Sequence, residues 1–361
     1  MIRLGSLRGS LGHLILNTLN FFLNNKNSKD ILIIATPKKE ISNYFVYKIL
    51  INKFKSQKVF FNNSIILKLT YKILNKLKKK FQFLTRFTCN IEWLHHDNPK
   101  QLYGSKYNFD ENFYNLVPDF EFEEKDIIFF SEWKKKKNIN KKFVCISSRD
   151  SGFYEEQLEN PRNFNFEDYD KLIRMLLEKN YIVIRMGRKY RKNFNFASND
   201  YIELYQLEKN NSKLDIIETF LFKECEFIIS GNSGIDAFAA LFKKKIFITN
   251  NFPAGRIPRY LNCTFIPKVY SSNNRIMNFN NIPKKILLSE EIEKLEKEKI
   301  NLINANSKDI ENMVREYLEN KNYSGIDISK KSFVIEGKNS NSSICPVWYS
   351  KNKNLFNNEI S

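Results

Sequence analysis

Short, nearly continuous apolar runs recur along the chain, each closed by a polar or small residue. They are DILIIAT at residues 30–36, FVCIS at 143–147, YIVIR at 181–185, FII at 227–229 and KIFIT at 245–249. Runs of this length with no polar alternation predict strands covered on both faces, as in a parallel sheet. Residues 59–61 and 201–204 read as shorter strands. Between the strands the apolar spacing becomes helical. Leu11, Leu14, Ile15, Leu19, Phe22 and Leu23 fall on one face, with Asn17, Asn20 and Asn24 on the other. Residues 42–54, 166–179, 214–222 and 235–242 also read as helices. Alternation of this kind argues for βαβ units and an α/β fold.

The alternation pauses at residues 132–142, where Lys134, Lys135, Lys136 and Lys137 form a charge run, the best place for a domain boundary. The predicted organisation is an α/β domain over residues 1–137, a second over 138–288, helices over 289–321 and an irregular tail over 322–361. The helices of the third segment, 289–300 and 307–320, each have Ser at a plausible N-cap. Within the tail, residues 344–349 are apolar enough to dock. No internal repeat is visible beyond the two α/β halves.

A length of 361 residues suits two domains, and a hydrophobic content of 42% is ample for their cores. The net charge of +19 suits an anionic partner: nucleic acid, an anionic membrane surface or an anionic substrate. Lysine is spread over the chain beside many Asn, Ile and Phe, however, as AT-rich coding alone would give. Residues 65–87 form a basic amphipathic stretch that fits an anionic membrane surface, and equally an ordinary solvated helix. The five cysteines, Cys89, Cys145, Cys225, Cys263 and Cys345, are odd in number and lack a C-x-x-C pair, which predicts reduced core residues. No apolar run reaches the roughly 20 residues of a bilayer span. Residues 11–23 are interrupted by Asn17, Thr18 and Asn20, and no small-residue cleavage site follows, which argues against a signal peptide. The expected location is cytoplasmic, with peripheral contact at the inner face of the membrane as an option.

The most suggestive chemistry lies in EFIISGNSGIDAFAALF, residues 226–242. A strand that breaks into Ser230-Gly231-Asn232-Ser233-Gly234 and then a helix gathers unpaired N–H groups at one spot, which suits an anion. The same residues also make a plain capping box, Ser233 with Asp236. Ligands of open parallel sheets bind outside the carboxyl ends of the strands. Arg149 and Asp150, Arg185 and Gly187, residues 230–234 and residues 253–255 are therefore the candidates, and two arginines beside a helix start would suit a diphosphate. Asp236 competes with a phosphate for the helix end, so it either caps the helix or meets a ligand hydroxyl. Asp168-Tyr169-Asp170 resembles a D-x-D metal motif but opens a helix, where acidic residues are favoured anyway. His13, His95 and His96 are the only histidines. His13 starts a helix after a Gly-rich turn, a position that faces the cleft in two-domain α/β proteins.

Four stretches carry a resemblance. VCISSRDSGFYEEQ (144–157), YIVIRMGR (181–188), ISGNSGIDAFAALF (229–242) and the Gly12-His13-Leu14 start occur in one order along the chain. That order and spacing are similar to a family of glycosyltransferases encoded in bacterial surface-polysaccharide and lipopolysaccharide gene clusters. The resemblance implies a GT-B fold, two Rossmann-like domains facing across a cleft, with a nucleotide-diphosphate sugar bound by the second. It implies no metal and no cofactor beyond that donor substrate. Arg149, Ser230, Asn232, Ser233 and Gly234 would hold the diphosphate, Arg185 and Gly187 would line the nucleotide pocket, and Asp215 would lie near it. The family often has His where this chain has Ser147. The acceptor would be a surface glycan or its lipid-linked precursor, and the base His13, with Asp97 or His95 behind it. Two other readings stand beside this one: a nucleotide-sugar epimerase of the same architecture, and a basic nucleic-acid-binding protein. The diffuse lysines and the absence of a recognisable nucleic-acid-binding signature count against the latter.

Overall fold

A computed structural model describes residues 2–5, 10–24, 31–35, 41–54, 59–62, 69, 73, 93–94, 111–149, 160–188, 192–194, 196–320, 323–338 and 340–356. The chain divides into two compact units. The first comprises residues 1–108, 115–131 and 215–219, and the second comprises 109–114, 132–214 and 220–361.

In the first unit, β1 (Ile2–Gly5) is followed by α1 (Leu11–Asn24), β2 (Ile31–Ala35), α2 (Tyr44–Phe54), β3 (Val59–Asn62) and β4 (Trp93–Leu94). The strands form one parallel sheet in the order β3-β2-β1-β4. The apolar stripe of α1 buries Leu14, Ile15 and Leu19, and α2 buries Val46, Ile49, Leu50 and Phe54. The basic stretch 65–87 lies outside the described residues except for Leu69 and Ile73. Helices α3 (Glu111–Leu116) and α4 (Glu124–Lys136) follow in the chain, each shared between the two units. The lysine run, expected to mark a domain boundary, largely belongs to α4. Trp133 anchors this end of the helix: its ring is buried and its Nε1 donates to Glu208 at 3.0 Å. Lys134 and Lys137 pair with Glu224 and Glu208 beside it.

The second unit opens with β5 (Phe143–Ser147) and α5 (Asp170–Glu178), the latter entered through a 3-10 turn over Phe166–Tyr169. Then come β6 (Ile182–Arg185), β7 (Tyr201–Glu203), α6 (Leu204–Glu208), α7 (Leu214–Glu224) and β8 (Phe227–Ser230). After β8 the chain forms α8 (Ala237–Phe242), β9 (Lys245–Asn251), β10 (Cys263–Pro267), β11 (Val269–Ser272) and β12 (Arg275–Ile276). The last elements are α9 (Lys284–Leu287), α10 (Ile292–Lys297), β13 (Ile300–Ile303), α11 (Ser307–Glu319), β14 (Ser343–Ile344) and α12 (Pro346–Lys351). Seven strands make a parallel sheet in the order β14-β10-β9-β8-β5-β6-β7. Every residue of β5, β6 and β8 is buried, which is why their sequences run apolar without alternation. Cys145, Cys225, Cys263 and Cys345 are free and buried, while Cys89 lies outside the described residues.

The helix expected over 289–300 is shorter. Only Ile292–Lys297 is helical, and Ile300 opens β13, which pairs antiparallel with β11. Helical spacing alone fitted either outcome; the edge of β11 decided it. Asn306, not Ser307, caps α11, accepting the N–H groups of Lys308 and Asp309 at 3.0 Å each. The tail after residue 321 is anchored rather than loose. β14 pairs with β10, and Phe333, Trp348 and Phe356 are buried around Phe279. These side chains follow no regular period, so the sequence pattern could not show them as core.

Gly255 ties this tail to the sheet. Its N–H donates to Leu287 O at 2.9 Å, and its carbonyl accepts Ile335 N–H and Glu336 N–H at 2.8 and 3.0 Å. A Cβ at this position would stand 2.8 Å from Leu287 O, inside contact distance. Gly255→Ala is therefore expected to destabilise the protein by about 1–3 kcal/mol. Urea denaturation reads this directly, and an unchanged midpoint would show that the α9 backbone yields.

Candidate functional site

Chain order and strand order together mark one place on the second sheet. β5 comes first; the chain then builds β6 and β7 to one side of it, and β8, β9, β10 and β14 to the other. The direction of winding reverses between the neighbours β5 and β8. Where winding reverses, the loops leaving adjacent strands diverge and open a crevice outside their carboxyl ends. β5 and β8 end level with one another, Ser147 opposite Ser230.

The loops leaving these two strands meet at Gly231. Its N–H donates to Ser147 O at 3.2 Å. A Cβ on Gly231 would lie 3.6 Å from Arg149 N and 3.7 Å from Ser148 Cα, so the two backbones run side by side. Arg149 is half-buried, and its carbonyl accepts Phe164 N–H at 2.9 Å. The structure thus sets the backbone of Arg149 beside that of Gly231 at the ends of β5 and β8. Asp150 lies outside the described residues.

The turn itself is rigidly built. Asn232 takes φ +67, which Asn tolerates better than most residues, and its side chain donates to Phe252 O at 2.8 Å. The expected helix over 235–242 is divided into a 3-10 turn at Gly234–Asp236 and the short α8. Asp236 is fully buried, accepting Ser233 N–H at 3.0 Å and the hydroxyl of Ser230. Ser147 Oγ lies 3.3 Å from Ser230 Oγ, extending the chain of hydroxyls to β5. The two options for Asp236 are thereby decided: it caps its own turn and lies beneath the loop. Burial pushes its carboxyl up to about 7, although Ser230, Ser233 and the Arg162 charge pull the other way.

Arg185 is placed differently from the expectation. It is 1% exposed, and its guanidinium donates to Glu203 at 2.8 Å and to Lys192 O at 3.0 Å. It stacks over the Phe166 ring at 3.8 Å. The side chain works inside the fold, holding β6 to β7 and the following loop, so it does not line a pocket. Gly187, just beyond, has φ +123, a conformation that side chains rarely adopt. Asp215 belongs to the first unit, where its carboxylate accepts Tyr44 N–H at 2.5 Å at the start of α2. Asp170 forms a two-bond ion pair with Arg174 one helical turn on, and Tyr169 is buried. The D-x-D pattern is thus a helix opening.

The first sheet has its own reversal: the chain leaves β1 for β2 and β3 on one side and returns to β4 on the other. His13 stands in the first turn of α1, the helix that follows β1, with Nδ1 2.9 Å from Ser10 Oγ. Asp97 follows β4 by three residues in the sequence but lies, with His95 and His96, outside the described residues.

One residue near the second rim was missed by the sequence. Lys268 directly follows β10, a strand whose CTFIP sequence is too mixed to announce itself. Its ammonium is buried and donates to Asn163 O at 3.0 Å. The signal that could have found it is a lysine closing an apolar run that ends in Pro267.

No protein-family model and no curated protein matches the chain. Among solved structures, it is similar to the glycosyl transferase family 9 protein of Veillonella parvula, with TM-score 0.49 and 11% identity over 88% of this chain and 97% of that one. It is also similar to the ADP-heptose lipopolysaccharide heptosyltransferase II of E. coli, with TM-score 0.43 and 12% identity over 74% and 90% of the two chains. A third is S. aureus MnaA, solved with UDP, with TM-score 0.39 and 12% identity over 99% and 92%. At these identities and TM-scores no residue role or activity passes from them to this chain.

Proposed function

We propose that this chain is a GT-B glycosyltransferase that moves a sugar from a nucleotide-diphosphate donor to a surface glycan or lipid-linked acceptor. One observation carries the reading. The two longest stretches of the family resemblance, 144–157 and 229–242, leave the adjacent strands β5 and β8, and the rim where winding reverses lies at their carboxyl ends. Arg149 and the turn at 230–234 there would hold the leaving diphosphate. A planar guanidinium pairs with phosphate oxygens through two parallel bonds; of the turn's N–H groups, those of Gly231 and Ser233 are taken by Ser147 O and Asp236, which leaves those of Asn232 and Gly234 for an anion. Positive groups aimed at charge that develops on a leaving group accelerate its departure without a metal. His13, at the reversal of the first sheet, is the base of this proposal. With Nδ1–H donating to Ser10 Oγ, its Nε2 carries the lone pair that takes the acceptor proton.

Arg149→Ala is expected to weaken donor binding and turnover by about 10- to 100-fold, the effect of one charge-assisted contact, with an unchanged melting temperature. The measurement is a thermal-shift screen of nucleotide sugars, followed by turnover with the donor that shifts most. Turnover should survive EDTA. A folded Arg149→Ala variant with normal turnover removes Arg149 from the site. Donor conversion without any acceptor, followed by NMR, would make the protein an epimerase. Steeply salt-dependent RNA or DNA binding with no response to nucleotide diphosphates would make it a nucleic-acid-binding protein.

A further inference from the structure

The basic residues around the second rim are mostly neutralised. Arg162 pairs with Glu290; Arg256 pairs with Glu290 at 2.6 Å and with Glu336 at 2.8 Å; Arg259 reaches Glu336 at 3.4 Å. Lys268 differs from these three arginines. It is 3% exposed, and its ammonium, which has three donors, makes the single hydrogen bond to Asn163 O, a neutral carbonyl. Burial pushes it down to about 8, and no carboxylate among the described residues opposes the shift. A buried ammonium with unfilled donors and no carboxylate partner among the described residues is costly.

Its position says what the missing partner would be. The backbone of Lys268 is fixed at the end of β10, with its N–H on Asn251 O at 3.0 Å. β10 and β5 are three strands apart, about 14 Å at ordinary strand spacing. A lysine cannot reach that far; Asn163 and Phe164 bridge the distance, the first accepting the Lys268 ammonium and the second donating to Arg149 O beyond β5. The next residue, Phe164, donates its N–H to Arg149 O, and its Cβ lies 3.8 Å from where a Gly231 Cβ would be. The ammonium therefore sits over the rim, one residue along the chain from the contact that joins the Arg149 and Gly231 loops.

We propose that Lys268 is a further anion-binding residue of this rim, and that its counter-ion is a phosphate or diphosphate group of the ligand. The assignment deepens the donor-site reading above and rests on it for the identity of the ligand. In this arrangement Arg149 and the 230–234 turn approach the anion from β5 and β8, and Lys268 closes on it from β10. A multiply charged phosphate supplies both the charge and the acceptor oxygens that the Lys268 ammonium lacks.

The test uses the full chain with inorganic pyrophosphate as probe, titrated calorimetrically at pH 7, beside thermal unfolding without ligand. Lys268→Met should weaken pyrophosphate binding by about tenfold or more while its ligand-free melting temperature holds or rises, because an uncompensated buried charge is gone. Lys268→Arg should bind more tightly than Lys268→Met. Lys268→Gln, which can still donate to Asn163 O, separates loss of charge from loss of the tether and should bind as weakly as the Met variant. Full binding by Lys268→Met or Lys268→Gln overturns the proposal, making Lys268 a strut for the Asn163 loop. A wild-type protein that ignores pyrophosphate overturns it as well. Nucleotide-sugar turnover that depends on Arg149 but not Lys268 preserves the glycosyltransferase reading while this proposal fails. Pyrophosphate binding through Lys268 in a protein that turns over no nucleotide sugar does the reverse.

Discussion

Arg185→Ala is expected to lower the free energy of unfolding by about 3–5 kcal/mol, the range for removing one partner of a buried ion pair. Glu203 would be left 8% exposed with its charge uncompensated, and Phe166 would lose the guanidinium stacked at 3.8 Å over its ring. The remaining bonds to Glu203 Oε1, from Phe194 N–H at 2.7 Å and Tyr201 OH at 3.1 Å, come from neutral donors. Arg185→Lys keeps the charge but not the planar group, so a smaller loss is expected from it. Urea denaturation of both variants supplies the numbers. If Arg185→Ala unfolded at the wild-type midpoint and instead lost nucleotide binding, Arg185 would return to the ligand pocket.

The second large effect concerns pH. The Asp236 carboxyl, ordinarily near 3.8, titrates at about 7 in the folded chain because it is buried beneath the 231–234 turn. Below about pH 4 both folded and unfolded chains hold this proton, and the group's stabilising contribution is complete. As pH rises toward 7 the unfolded chain ionises freely while the folded chain keeps the proton, so stability falls. The loss amounts to about 4 kcal/mol and levels off above pH 7. Asp236→Asn does not titrate. Subtracting its stability from that of the wild type at several pH values between 4 and 8 should isolate the fall. A difference independent of pH would mean that Asp236 is ionised in the folded protein throughout.

These two residues show how far local sequence reaches. YIVIR identified β6 without ambiguity, because a strand covered on both faces must be apolar throughout. Where the arginine at its end would point depended on Glu203, which is 18 residues away and meets it only through the pairing of β6 with β7. Asp236 was legible as a capping residue because its partner, Ser233, is local. Its burial was not, since the cover comes from packing of the whole sheet.

The tail shows the same division in the fold. Phe333 and Phe356 meet Phe279, more than 50 residues earlier in the chain, and Trp348 joins the cluster through Phe356. No periodicity can announce such a cluster. Lys268 escaped for a related reason: β10 is a strand because β9 and β14 flank it, not because its sequence insists on it.

The sequence by itself determined that this is an α/β protein of two parallel-sheet units, because strand and helix periodicities are written in neighbouring residues. It also placed Arg149 and the 230–234 turn at strand ends. The tertiary structure decided which strand ends are neighbours. It set β5 against β8 at the reversal of winding, turned Arg185 inward to Glu203, fixed Asp236 beneath its turn and buried Lys268 against Asn163 O. Strand order and burial are properties of contacts between distant segments, and a charge acquires its role from what those contacts leave beside it.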